Sequence, residues 1–147
     1  MRRSMLRLVL LTAIAVLGAC GPSPDARLQE AMAAAPDSIS FPALVEGDWT
    51  KMCVVMPYTR PADARDRTGL RWRGFSRSGI EHRDDVVLLV FARNDRVTTS
   101  ALVDRRADFQ RDATFCFARE DAVFSKTASP SGAPWYLLTP REDDGSP

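Results

Sequence analysis

Histidine is nearly missing from this sequence, with His82 its single example, and there are two lysines and three cysteines among 147 residues. Around His82 stand Glu81, Asp84 and Asp85, yet neither the helical zinc spacing nor the twelve-residue calcium-loop pattern occurs, so no metal is assigned. No two cysteines are separated by two residues, which excludes the usual dithiol redox motif. Gly69, Gly74 and Gly79 lack the lysine and the following helix of a phosphate-cradling loop, and no cofactor is implied. There is no repeat of fixed period and no heptad series. Charge of one sign is also lacking, with 20 basic against 19 acidic residues, which disfavours a nucleic-acid binder. At 45% hydrophobic residues the chain is too apolar for a disordered acidic tail.

A catalytic constellation is equally hard to find. His82 could act as a base oriented by Asp84 or Asp85 and paired with Ser76, Ser78 or Ser100, but no local signature places a serine on a sharp nucleophile turn. A weak hydrolase centred on His82 is therefore the least favoured reading. Glu46 and Asp48 flank Gly47, and solvated loop carboxylates explain them without catalysis. No catalytic residue is assigned.

What is present begins at the amino terminus. Met1 to Arg7 carries Arg2, Arg3 and Arg7, and an uninterrupted apolar run from Leu8 to Leu17 follows. Ten residues in a helix cover roughly 15 Å of a hydrocarbon core about 30 Å thick, so the run reads as the core of an export signal rather than a permanent span. Leu17-Gly18-Ala19-Cys20 resembles the lipobox of bacterial lipoproteins, with an apolar residue three before the cysteine and small residues between. A plain secretory signal followed by an unrelated cysteine is the competing account. The resemblance implies cleavage before Cys20, acylation of that cysteine, and handling by the lipoprotein processing and sorting machinery. Gly21 stands where an aspartate would signal inner-membrane retention, which implies the outer membrane facing the periplasm. Two or three acyl chains hold far more firmly than one, at about 0.8 kcal/mol per buried CH₂.

Removal of the signal leaves 128 residues, with 17 basic against 19 acidic side chains, about −2 and room for one modest domain. It also leaves Cys53 and Cys116, an even pair bound for an oxidising compartment, and a disulfide between them is expected. Two buried free thiols are the alternative.

The expected organisation is a signal at 1–19, a lipidated tether at 20–24, an N-terminal helix or extended tether at 25–39, a single α+β domain at 40–139 and a flexible tail at 140–147. Asp25 is placed to cap a helix from Arg27 to Ala35. Trp49 to Met56 reads as a strand, and Pro61 and Gly69 bracket a short helix with exposed opposite charges such as Asp63 and Arg67. Leu70 to Phe75 alternates apolar and basic residues and predicts a strand with Leu70 and Trp72 inward and Arg71 and Arg73 outward. Ser76 to Asp85 is expected to be a loop. Val86 to Ala92 is apolar on both faces, the pattern of a covered central strand, and Arg93 to Arg96 forms a hairpin turn into Val97 to Val103. Phe115 to Phe117 and Trp135 to Leu138 supply further strands, with Phe109 and Asp112 in a connector and Ser125 to Pro134 as a loop. The fold class is α+β, a small mostly antiparallel sheet of four or five strands with one to three short helices.

The richest functional signal lies between Tyr58 and Arg83. Arg60, Arg65, Arg67, Arg71, Arg73, Arg77 and Arg83 interleave with Tyr58, Trp72 and Phe75, and five acids counted through Asp85 (Asp63, Asp66, Glu81, Asp84 and Asp85) leave a local excess of +2. Arginine forks and aromatic faces recognise anionic groups and anchor interfaces. In a chain this rich in arginine, a compensated charge run is also what an ordinary solvated face looks like. The segments Trp49 to Thr59, Leu88 to Phe91 and Phe115 to Glu120 resemble a group of small, uncharacterised Gram-negative lipoproteins with a Pro-Tyr-Thr corner and an aromatic-cysteine strand. That resemblance implies one domain with Cys53 and Cys116 paired, and no ligand. The leading function is a membrane-anchored binding or scaffolding module for an envelope protein or an anionic surface. An inhibitor of a periplasmic or host hydrolase is the alternative.

Overall fold

Lys51–Val55 and Val86–Arg93 are almost wholly apolar, so each must be covered on both faces, and they form the inner strands of an antiparallel sheet. The computed structural model describes residues 24–34, 37–105, 107–109, 114–128 and 136–140. The signal, Cys20 and the tether to Ser23, Asp112, Trp135 and the segment 141–147 lie outside the described residues, and the expectations placed on them lie there too.

In chain order the elements are α1 (Pro24–Ala33), β1 (Ser38–Ser40), α2 (Phe41–Leu44), β2 (Lys51–Val55), α3 (Pro61–Thr68) and α4 (Gly74–Arg77). A 3-10 turn (Ile80–His82) precedes β3 (Val86–Arg93), β4 (Arg96–Asp104), β5 (Ala107–Phe109), β6 (Phe115–Ala118), β7 (Val123–Ala128) and β8 (Tyr136–Pro140). The inner sheet has the order β4-β3-β2-β6 and is antiparallel throughout. A second sheet, in the order β1-β7-β8-β5, is antiparallel except for the β5–β8 pair.

Period-two alternation sends successive side chains of β2 and β3 to opposite faces. Met52, Val54, Val87, Leu89 and Phe91 meet the second sheet and α1, while Cys53, Val55, Leu88, Val90 and Ala92 meet the segment between β2 and β3. The first interface is aromatic: the Phe124 ring lies 5.6 Å from Phe41, 5.2 Å from Phe109 and 5.0 Å from Phe117, each edge to face. Edge-to-face pairs of this kind add about 0.5–1.5 kcal/mol each beyond the area they bury. The buried Trp49 indole donates to the Val45 carbonyl at 3.0 Å, so no polar group is left unsatisfied where β2 is entered.

The α+β class and the β3–β4 hairpin are as the sequence implies, with Asn94 in the left-handed region (φ 53°) opening a two-residue turn between Arg93 and Arg96. The Cys53–Cys116 disulfide is formed across β2 and β6. Closing a 63-residue separation stabilises the fold by about 4 kcal/mol on loop-closure grounds.

Of the two alternatives for the N-terminal segment the structure has the helix: Leu28 and Met32 of α1, four apart, are buried in the aromatic core. Other expectations change. Leu70 to Arg73 is not a strand: Leu70 is buried and Arg71 and Arg73 are exposed as the alternation required, but the backbone turns helical at Arg73 and continues into α4. Loop-like composition hides part of the second sheet. Ser125 to Ala128 belongs to β7, whose Ser125 and Phe124 pair with Ser38 and Ile39 of β1. Phe109 ends β5, buried beneath Phe124, instead of lying in a polar connector. Pro140, expected in the flexible tail, completes β8.

Candidate functional site

The segment from Pro57 to Asp85 crosses over the inner sheet and carries nearly all the candidate surface. α3 starts on Pro61, whose missing N–H costs nothing at a first helical turn, and stops at Gly69 with φ 70°. Ala64 and Thr68 turn inward, and the Thr68 hydroxyl donates to the Ala64 carbonyl at 2.7 Å while accepting from the Leu70 N–H at 3.2 Å. Lys51, at the start of β2, donates to the Thr68 carbonyl at 2.9 Å and fixes the end of the helix to the sheet. Arg65, Asp66 and Arg67 are thereby left on the outside.

Trp72 is held by a neighbour that has no side chain. A Cβ on Gly74 would fall inside the Trp72 ring, so only glycine lets the indole lie across that backbone. The ring system also meets the Phe75 ring edge to face, with centroids 5.3 Å apart. Phe75 itself is fully buried, and this corrects its place in the expected surface: it supports Trp72 from within the core and cannot contact a ligand.

Two open hollows meet at Trp72 and Arg73. The first, about 570 Å³, is lined by Arg65, Asp66, Gly69, Arg71, Trp72 and Arg73. The second, about 560 Å³, runs from Arg73 and Arg77 to Ser100 and Leu102 on β4, with Asp25 of α1 at its border. Arg65, Arg71, Arg73 and Arg77 make no ion pair or side-chain hydrogen bond among the described residues. Unpaired guanidinium forks beside a half-buried indole can take a carboxylate or phosphate in a bidentate fashion.

The remaining candidates lie elsewhere in the layer. Tyr58 is 62% exposed, sits at a left-handed backbone position (φ 59°) and donates its N–H to the Ile80 carbonyl. Partial desolvation, and then the nearby Asp84 carboxylate, push its phenol above the ordinary value. Arg60 is bound to Asp63 at 2.9 Å, in place of the expected Asp63–Arg67 pair, and Arg83 is bound to Asp85 at 2.6 Å. These hydrogen bonds hold the Asp63 and Asp85 carboxyls below the usual carboxylate range. The expected ten-residue surface therefore divides. Arg65, Arg71, Trp72, Arg73 and Arg77 surround the hollows. Arg67 is exposed on α3, Tyr58, Arg60 and Arg83 line neither hollow, and Phe75 is core.

Among the described residues no hydrogen bond or ion pair joins His82 to Ser76, Ser78, Ser100, Asp84 or Asp85. His82 is 81% exposed at its side chain and lies 3.6 Å from Glu81, while the Ser78 hydroxyl donates to the Phe75 carbonyl at 2.9 Å. No cluster of three or more His, Cys, Asp or Glu side chains able to hold a metal ion occurs among the described residues.

Sequence reasoning missed the part of the second hollow that comes from Asp25 and from Ser100 and Leu102. Asp25 and Gln29 stand four apart on α1, a spacing that puts them on one polar side, but nothing local says that this side meets β4. No protein-family model, curated protein or solved structure matches the chain.

Proposed function

We propose that the protein is a lipid-anchored envelope lipoprotein, held through Cys20 at the outer membrane facing the periplasm, whose domain binds anionic groups of an envelope partner. The acyl chains supply the membrane partner, and Arg65, Arg71, Trp72, Arg73 and Arg77 supply the binding surface. One observation carries the binding part: four arginines without ion-pair partners among the described residues line hollows that share an indole packed against Gly74 and Phe75. Arginines that were only solvated surface would have no need of a glycine-seated tryptophan among them. The lipobox-like Leu17 to Cys20 supports the anchor. Crosslinking from intact envelopes, comparing the wild type with the Arg71→Glu, Arg73→Glu double variant, tests the surface. Loss of at least one partner from the variant is expected, and identical recovery from both proteins overturns the reading. Detergent phase partitioning of Cys20→Ser tests the anchor separately, with transfer of the variant to the aqueous phase as the expected result.

A further inference from the structure

At nine residues β4 is the longest strand described, and it is an edge of the inner sheet. An edge strand presents N–H and C=O groups that another chain can pair with. The ladder fixes which ones. Cys53 and Cys116 have Cα atoms 4.0 Å apart, the spacing of a pair that exchanges no ladder hydrogen bonds, so Cys53 bonds Val90 on its other side and Val90 exchanges none with Ser100. Ser100, Leu102 and Asp104 consequently turn their main-chain groups outward. Gln29 takes two of these groups as a neighbouring strand would, donating to the Leu102 carbonyl at 3.0 Å and accepting from the Asp104 N–H at 3.3 Å. At the other end the register shifts beside Phe91, and the Thr98 hydroxyl folds back to donate to the Phe91 carbonyl at 3.1 Å. Between these two devices the N–H and C=O of Ser100 and the N–H of Leu102 face outward with no partner among the described residues.

This gap opens onto the second hollow. Ser100 and Leu102 line it together with Trp72, Arg73 and Arg77, so a strand laid along the gap would send the side chain opposite Ser100 toward those arginines. Asp25 lines the same hollow, so Arg73 and Arg77 leave it a net charge of +1, which suits one carboxylate and not a polyanion. We propose that this edge of β4 docks an extended acidic segment of a partner protein by strand addition, its main chain paired with Ser100 and Leu102 and its carboxylate held by Arg73 and Arg77. The proposal rests on the anion-binding reading of the arginine surface and assigns it a partner chemistry.

Amide hydrogen exchange on the full chain in detergent tests the docking, with acetyl-Val-Thr-Glu-Thr-Val-amide as the probe. At saturating probe the Ser100 and Leu102 amides should exchange about tenfold more slowly, the scale of one hydrogen bond to a main-chain acceptor. The same peptide with its main-chain nitrogens methylated, or with Lys for Glu, should give no protection, and Arg73→Glu, Arg77→Glu should abolish it. Binding of the Glu peptide that leaves both amides unprotected overturns strand addition while the arginine reading stands. Equal protection in the double variant overturns the role of the arginines, and protection before any peptide is added means that the chain covers its own edge, which overturns the proposal as a whole.

Discussion

The two faces of the inner sheet are closed by different means. One face lies against a second sheet through interlocked rings, Phe41, Phe91, Phe109, Phe117 and Phe124, drawn from five different elements. The other lies under a single crossover whose buried side chains are Ala64, Phe75 and Ile80 from short helical turns and Leu70 from the link between two of them. The aromatic face joins residues distant in sequence, so each ring ties several strands into one cooperative unit. The crossover holds its few apolar anchors at intervals and leaves the residues between them outside, which is where the unpaired arginines sit. Stability and surface chemistry are thus assigned to opposite sides of the same strands.

Substitutions should separate the two sides by size of effect. Phe124→Ala removes a fully buried ring in contact with three others and should cost about 3–5 kcal/mol in urea unfolding, the range for large-to-small changes at aromatic core sites. A loss below about 1 kcal/mol would mean that the second sheet is not docked as described. Gly74→Ala should cost less, about 1–3 kcal/mol, as overpacked sites do, because the new methyl displaces an indole that is already half exposed. Its diagnostic is local: Trp72 emission should shift, and capture of the envelope partner should fall with it, while the amides of β2 and β3 keep their exchange protection. If those inner-strand amides lost protection in step, the crossover and the aromatic core would be one unit and the division drawn above would fail.

The contrast also governs how much of the molecule could be read from its sequence. β3 is legible because an unbroken run from Val86 to Ala92 has one outcome, burial on both faces, whatever the rest of the chain does. The helix between Pro61 and Gly69 is legible because proline and a left-handed glycine act locally at its two ends. Of the second sheet only β8 is, its Tyr136 to Leu138 lying within an expected strand. Ser38–Ser40 and Ser125–Ala128 are too polar and too short to declare a strand, and they become one by pairing with each other across the chain. At the candidate site the arginines were visible, but their division into paired and unpaired groups was not, because Arg60 chose Asp63 by geometry that spacing alone leaves open. Phe75 was misplaced for a related reason. A strand would have carried it on the outer side with Arg71 and Arg73, opposite Trp72, and the helical turn beginning at Arg73 buries it instead.

The smallest effects belong to the paired arginines, and acid titration isolates them. Asp63 is held below the ordinary carboxylate range chiefly by its hydrogen bonds to Arg60, and Asp85 by those to Arg83. A carboxyl whose folded value is depressed contributes stability that is present above its unfolded value and is lost as pH falls through the folded value. Both carboxylates are solvent-exposed, so water and salt screen most of that contribution. NMR titration should place the Asp63 midpoint below that of an unpaired aspartate in the wild type and return it to the ordinary range in Arg60→Ala, with the urea midpoint near neutral pH hardly changed. A large loss of stability in Arg60→Ala would make this pair part of the scaffold, and the crossover would then owe its shape to surface charge rather than to the buried residues Ala64, Leu70, Phe75 and Ile80.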